Sequence, residues 1–207
     1  MAFYPLYIDL EGKKCVVVGG GDVAERKVAS LLECGAEVEV ISPELTPGLI
    51  KLADEGKLRI KGREYESGDL EGATLAIVAT DNNAVNKEVH REASENRIPV
   101  NVVDIPELCS FIVPSTVRRG DLVISISTSG SCPALAKSIR KHLQQLFGEE
   151  YADYCEVLSK FRRAVADKYE EPEERKKALD RLIKSDAIDL IRAHKDEELE
   201  ERVRSCI

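Results

Sequence analysis

Lys14-Cys15-Val16-Val17-Val18-Gly19-Gly20-Gly21-Asp22-Val23-Ala24 joins a short β-branched run to three glycines and then to the start of a helical pattern. The run has the character of a buried first strand. Apolar residues at Val23, Val28, Leu31 and Leu32, closed by Gly35 at a C-cap position, predict a helix over Val23 to Cys34. Strand, glycine turn and helix together satisfy G-x-G-x-x-A in the setting where that spacing has mechanical meaning. Gly19 permits the tight turn, Gly21 lets the backbone approach a pyrophosphate, and Ala24 lets helix pack closely on strand. The helix start then offers free N–H groups and the positive end of its dipole, so Gly19, Gly21, Asp22 and Val23 are candidate cofactor-binding residues.

Outward from this unit the same alternation continues. Glu37 to Ser42 predicts a second strand, Thr46-Pro47 an N-cap and first-turn proline for a helix to about Glu55, and Leu58 to Lys61 a weaker third strand. Leu75 to Ala79 is a buried fourth strand, Asn83 to Asn96 a helix, and Pro99 to Val103 a fifth strand ending at Asp104. Strands alternating with helices specify an α/β, doubly wound Rossmann domain with a parallel sheet over residues 1–113. After Pro114 the pattern changes. Ser115 to Arg118, a polar Arg119-Gly120-Asp121 turn and Leu122 to Ser127 predict a β-hairpin, and a helix follows from Pro133 to about Phe147. Residues 148–207 are charged and helical by spacing, a small all-α part with a loop expected at Glu170 to Glu174.

Hydrophobic residues make up 43% of the chain and charged residues 33%, which suits a folded protein. The net charge of -8 argues against a nucleic-acid partner, but the charge is segregated. Residues 112–147 carry 5 Lys+Arg against 1 Asp+Glu, so an anionic ligand belongs there unless the helix face is merely solvated. No apolar run approaches the roughly 20 residues of a membrane span, and Met1 to Leu10 lacks the features of a signal peptide, so a cytoplasmic protein is expected. The six cysteines form no C-x-x-C pair, and His90, His142 and His194 do not converge by spacing, so no metal site is expected.

In an open parallel sheet, ligands gather beyond the carboxyl ends of the strands. After the second strand stand Ser42, Pro43 and Glu44, where Glu44 reaches a ribose hydroxyl or is simply an exposed charge. No arginine stands beside it to receive a 2′-phosphate, which favours NAD over NADP. Thr80, Asp81 and Asn82 follow the fourth strand and either line the dinucleotide or cap a helix. Asp104 differs, because an acid closing a buried apolar strand is costly unless solvated, paired or used.

Gly19 to Lys27, Ala79-Thr80-Asp81, Asn101-Val102-Val103-Asp104, Ser110 to Pro114 and Ser127 to Ala136 stand in an order that resembles the precorrin-2 dehydrogenase family, the dehydrogenase and ferrochelatase part of sirohaem synthase. The resemblance covers roughly residues 1–147, and the remainder only by its helical character. It implies NAD-dependent oxidation of precorrin-2 to sirohydrochlorin with Asp104 as the acid-base residue, and in some relatives insertion of ferrous iron at the same site. It also implies a homodimer, with a dimerisation and substrate region over 114–147 and a helical C-terminal domain over 148–207. The methyltransferase domain fused in some members has no room in 207 residues.

A tetrapyrrole bearing many carboxylates requires local positive charge on an acidic protein. Arg118, Arg119, Lys137, Arg140 and Lys141 supply it, with Asn101 at the sheet edge. The Thr128-Ser129-Gly130-Ser131 loop is either a second anion cradle or a capped helix start. Thr128 and Cys132 stand where relatives often have serine, which puts in doubt any role that needs those hydroxyls. Two alternatives remain: a non-enzymatic NAD-sensing module, which needs neither Asp104 nor the basic hairpin and helix, and a dehydrogenase of another anionic metabolite.

Overall fold

The computed structural model describes residues 3–207, so the first two positions of the Met1 to Leu10 stretch lie outside it. The chain forms two compact units divided between Val113 and Pro114.

The first unit contains β1 (Lys14–Val18), α1 (Asp22–Leu32), β2 (Glu37–Ile41), α2 (Pro47–Asp54), β3 (Leu58–Lys61), β4 (Leu75–Val78), α3 (Asn83–Glu95) and β5 (Val100–Val102). The strands are all parallel in the order β3-β2-β1-β4-β5. Alternate residues supply two cores, one on each face of the sheet. Cys15, Val17, Val38, Val40 and Ile77 pack with Ala24, Val28 and Leu31 of α1 and Leu49 of α2. Val16, Val18, Ala76, Val78, Val100 and Val102 pack with Val89 and Ala93 of α3. The chain leaves β1 toward β2 on one side and returns to β4 on the other, so the topological switch point, where crevices form, lies between the carboxyl ends of β1 and β4.

No helix links β3 to β4. The connection is pinned instead by two buried acids: Glu92 accepts from Tyr65 Oη (2.5 Å), Gly68 N (2.8 Å) and Leu70 N (3.1 Å), while Asp69 accepts from Arg63 and Lys61.

The second unit contains the antiparallel pair β6 (Ser115–Arg119) and β7 (Leu122–Ile126), then α4 (Pro133–Leu146), α5 (Glu150–Lys168), α6 (Pro172–Ile183), α7 (Ala187–Arg192) and α8 (Asp196–Cys206). Its core gathers Tyr154, Phe161, Val165, Ala178, Leu182 and Ala187.

Three expectations need correction. Arg119 pairs with Leu122 inside the hairpin, so the turn is only Gly120-Asp121, with Gly120 at φ 53° supplying the positive φ that a two-residue connection requires. The Glu170 to Glu174 stretch is not all loop: α6 starts at Pro172, and Glu173 and Glu174 occupy its first turn, where acids suit the helix dipole. The fifth strand stops at Val102, and Asp104 lies beyond it in an exposed turn, so burial costs it nothing.

No helix among the described residues is long and apolar enough to cross a membrane.

Candidate functional site

The glycine turn after β1 assigns different tasks to its three residues. Gly19 has φ 116°, and a Cβ there would stand 2.1 Å from the Ala79 carbonyl oxygen at the end of β4. A Cβ on Gly20 would stand 2.0 Å from the Glu44 carbonyl oxygen. At Gly21 the backbone is ordinary, with φ -84°, and a Cβ would meet nothing within 4 Å. Open space therefore lies over the start of α1, as a closely approaching pyrophosphate requires.

Three long helices of this unit begin at the same edge of the sheet. The Thr46 hydroxyl caps α2 by accepting from Leu49 N at 3.2 Å, and it donates to Glu25 Oε2 at 2.5 Å. Asn82 caps α3, its Oδ1 accepting from Ala84 N (3.0 Å) and Val85 N (3.4 Å). The start of α1 at Gly21 has no side-chain cap. Its unpaired N–H groups carry the partial positive charge of a helix N-terminus, about half an elementary charge. The residues present thus fit a dinucleotide phosphate, with Asp22 exposed and Val23 half-buried beside it.

Ser42 is buried and donates to the Glu44 carbonyl at 2.7 Å, so its hydroxyl shapes the loop. Pro43 and Glu44 are exposed after β2. Thr80 Oγ1 accepts from Asn82 N at 3.1 Å, and the Thr80 carbonyl accepts from Asn86 Nδ2 at 3.1 Å. Asp81 is exposed, and Asn86 is buried with its Oδ1 unpaired.

Asp104 is exposed at φ 61°, a left-handed conformation that costs an ordinary L-residue about 1 kcal/mol or more. No hydrogen bond or ion pair within 4 Å engages its carboxylate among the described residues. Half-buried Lys27 of α1 is near enough to feel it: burial pushes the Lys27 ammonium pKa down, and Asp104 opposes that shift. The ends of β1 and β5 are two strands apart, roughly 10 Å at normal strand spacing, so the glycine turn and Asp104 share one edge of the sheet. Asn101, three residues earlier, donates from its amide nitrogen to the Phe111 carbonyl at 2.9 Å.

In the second unit, Arg118 and Lys137 are exposed on β6 and α4. Arg119 is mostly covered and donates to the Phe147 carbonyl (3.0 Å) and the Arg118 carbonyl (2.8 Å), and it pairs with Glu149 at 3.2 Å. Thr128 accepts from Cys132 N at its hydroxyl (3.1 Å) and from Ser131 at its carbonyl, closing a loop in which Ser129 and Gly130 both have positive φ. These contacts make Arg119 and Thr128 backbone supports.

Sequence reasoning missed Lys27, Asn86 and the Asp69 cluster. Lys27 lay inside the quoted glycine motif, whereas Asn86 and Asp69 are tied to partners that no local pattern announces.

A parallel sheet with a glycine turn feeding an uncapped helix at its switch point is a dinucleotide-binding domain. Residues 6–115 match the family model described as NAD(P)-binding, and residues 119–146 match the one described as sirohaem biosynthesis protein central. The siroheme synthase of Methylobacillus flagellatus is 43% identical over 176 residues, covering 85% of this chain and 38% of that protein. That of Nitrosospira multiformis is 37% identical over 201 residues, covering 95% and 43%. The chain therefore spans about two fifths of the length of these relatives. Among solved structures, SirC, precorrin-2 dehydrogenase, superposes with a TM-score of 0.79 at 27% identity, covering 98% of this chain and 100% of its own. The chain belongs to this NAD(P)-binding family and is related to siroheme synthases over about two fifths of their length.

Proposed function

We propose that this chain oxidises precorrin-2 to sirohydrochlorin in sirohaem synthesis, with NAD as the hydride acceptor. The observation that carries this proposal is Asp104: an exposed carboxylate with no hydrogen bond or ion pair among the described residues, held in a left-handed turn at the edge of the sheet where the glycine turn opens. Relatives named siroheme synthase and a fold neighbour named precorrin-2 dehydrogenase support the choice of substrate.

In this assignment the free N–H groups of α1 and the bare Gly21 hold the pyrophosphate, and Glu44 takes a ribose hydroxyl, with no arginine beside it to favour a 2′-phosphate. When bound, NAD accepts the hydride. The macrocycle loses that hydride from one carbon and a proton from a neighbouring position, leaving one new double bond. The proton goes to a carboxylate oxygen of Asp104. Within the second unit, exposed Arg118 and Lys137 suit anionic groups, and Arg119 and Thr128 hold that unit's own backbone, as Asn101 holds backbone in the first. Were ferrous iron inserted, the same carboxylate would accept the pyrrole protons.

We assign residues 1–113 to cofactor binding, 114–147 to substrate and dimer contacts, and 148–207 to a helical module. A homodimer is supported by Leu135, Ile139 and Leu146, three large apolar residues exposed on α4. A cytoplasmic location accords with the absence of any membrane-spanning helix among the described residues.

The purified chain given precorrin-2 and NAD should form NADH and sirohydrochlorin in equal amounts, and absence of NADH sinks the assignment. A non-enzymatic NAD sensor would bind NAD without turnover. Other anionic metabolites offered in place of precorrin-2 test substrate choice, and a parallel reaction with ferrous iron reads chelation separately.

A further inference from the structure

β5 is an edge strand, yet its outer edge is not bare. The segment after the short 3-10 turn Pro106–Leu108 folds back along it, and two side chains stand where a neighbouring strand would. Ser110 Oγ accepts from Val100 N at 2.8 Å, and Ser110 N donates to the Val100 carbonyl at 2.8 Å. One step further, Cys109 Sγ accepts from Val102 N at 3.2 Å and lies 3.1 Å from the Val102 carbonyl and 3.4 Å from the Ile105 carbonyl. The Asn101 amide reaches the same sulfur at 3.5 Å. Val102 and Ile105 are the two ends of the turn that carries Asp104, closed by Ile105 N on the Val102 carbonyl at 3.3 Å.

We infer that Cys109 is a positioning residue: its thiol grips both ends of the Val102–Ile105 turn and so fixes where the Asp104 carboxylate stands. The inference rests on Asp104 being the base. A single S–H serves the two carbonyls in turn, while the sulfur lone pairs accept from Val102 N and the Asn101 amide. Burial pushes the thiol pKa up, which keeps it in the protonated form able to donate. Asp104 sits left-handed in this turn, so its carboxylate stands where the two ends of the turn are held, and the thiol contacts both ends.

The test compares Cys109→Ala, Cys109→Ser and Asp104→Asn in the full chain, reading NADH formation alongside amide hydrogen exchange at Val102 and Ile105. Cys109→Ala should bind NAD normally and keep KM for precorrin-2 within about twofold, while kcat falls roughly tenfold and Val102 exchanges faster. Cys109→Ser, whose hydroxyl offers the same donor and acceptor, should restore most of kcat and the protection. A Cys109→Ala enzyme with parental kcat overturns the inference even if its melting temperature falls, as does unchanged exchange at Val102. An Asp104→Asn enzyme with parental kcat overturns the base assignment itself, a failure that the exchange measurement keeps distinct.

Discussion

Asp69 and Asp104 are aspartates flanking the same parallel sheet, and the protein treats them in opposite ways. Asp69 is 6% exposed, with Arg63 bonded to both its oxygens (2.7 and 2.8 Å), Lys61 to one (2.9 Å) and the Glu66 N–H to the other (2.9 Å). The Arg63 guanidinium is the main reason that its carboxyl titrates far below the usual carboxylate range. Asp104 is exposed and unbonded, held in place through its backbone. One acid joins strand β3 to the chain that follows it. The other is kept available, which is the condition a base must meet before substrate arrives.

The largest effect expected is at Asp104. Asp104→Asn, which keeps a residue tolerant of the left-handed turn, should lower kcat about 100-fold to 10,000-fold while leaving NAD affinity and thermal stability near parental, read by NADH formation, NAD titration and calorimetry. If stability collapsed instead, the contrast with Asp69 would fail.

Asp69→Asn should do the reverse, costing about 1–3 kcal/mol by removing the carboxylate that joins Lys61 and Arg63, although Lys61 keeps Glu39 and Arg63 keeps Glu66. Because the folded pKa of Asp69 is depressed, its stabilisation is complete above the ordinary carboxylate range and is lost as pH falls below about 4 toward the folded value. Denaturant midpoints of parent and variant should therefore converge on acidification, and a constant gap between them would disprove the ion-pair account.

The glycine turn sharpens the same contrast within three residues. Gly19→Ala forces a Cβ against the Ala79 carbonyl at positive φ and should destabilise the fold by about 2–3 kcal/mol. Gly21→Val enters open space and should leave the melting temperature nearly unchanged, while weakening NAD binding by about tenfold or more in calorimetric titration. The smallest effect is Thr46→Ala, about 1 kcal/mol of stability from the lost α2 cap, with NAD affinity little altered.

Elements with a local cause were legible in the sequence. The β-branched run at Cys15 to Val18 became the central strand, and Thr46-Pro47 began its helix as capping chemistry requires. The part of the site built from backbone, the glycine turn and the uncapped α1, followed from spacing alone. The remainder depended on partners distant in sequence. Nothing near residue 92 indicates that its carboxylate will close a loop at Tyr65, Gly68 and Leu70, and nothing near Arg119 indicates that it will pin the Phe147 carbonyl. Asp104 was singled out as an acid ending a buried strand. Its distinguishing feature in the fold is the reversed sign of its φ angle.

That sign has a consequence for how position 104 drifts. Glycine occupies left-handed backbone freely and asparagine does so more readily than most residues, so either replacement should fold at least as well as the aspartate. A lineage released from the need for turnover would be expected to lose Asp104 early, and an intact fold carrying glycine there would mark a descendant that has given up chemistry without giving up its shape.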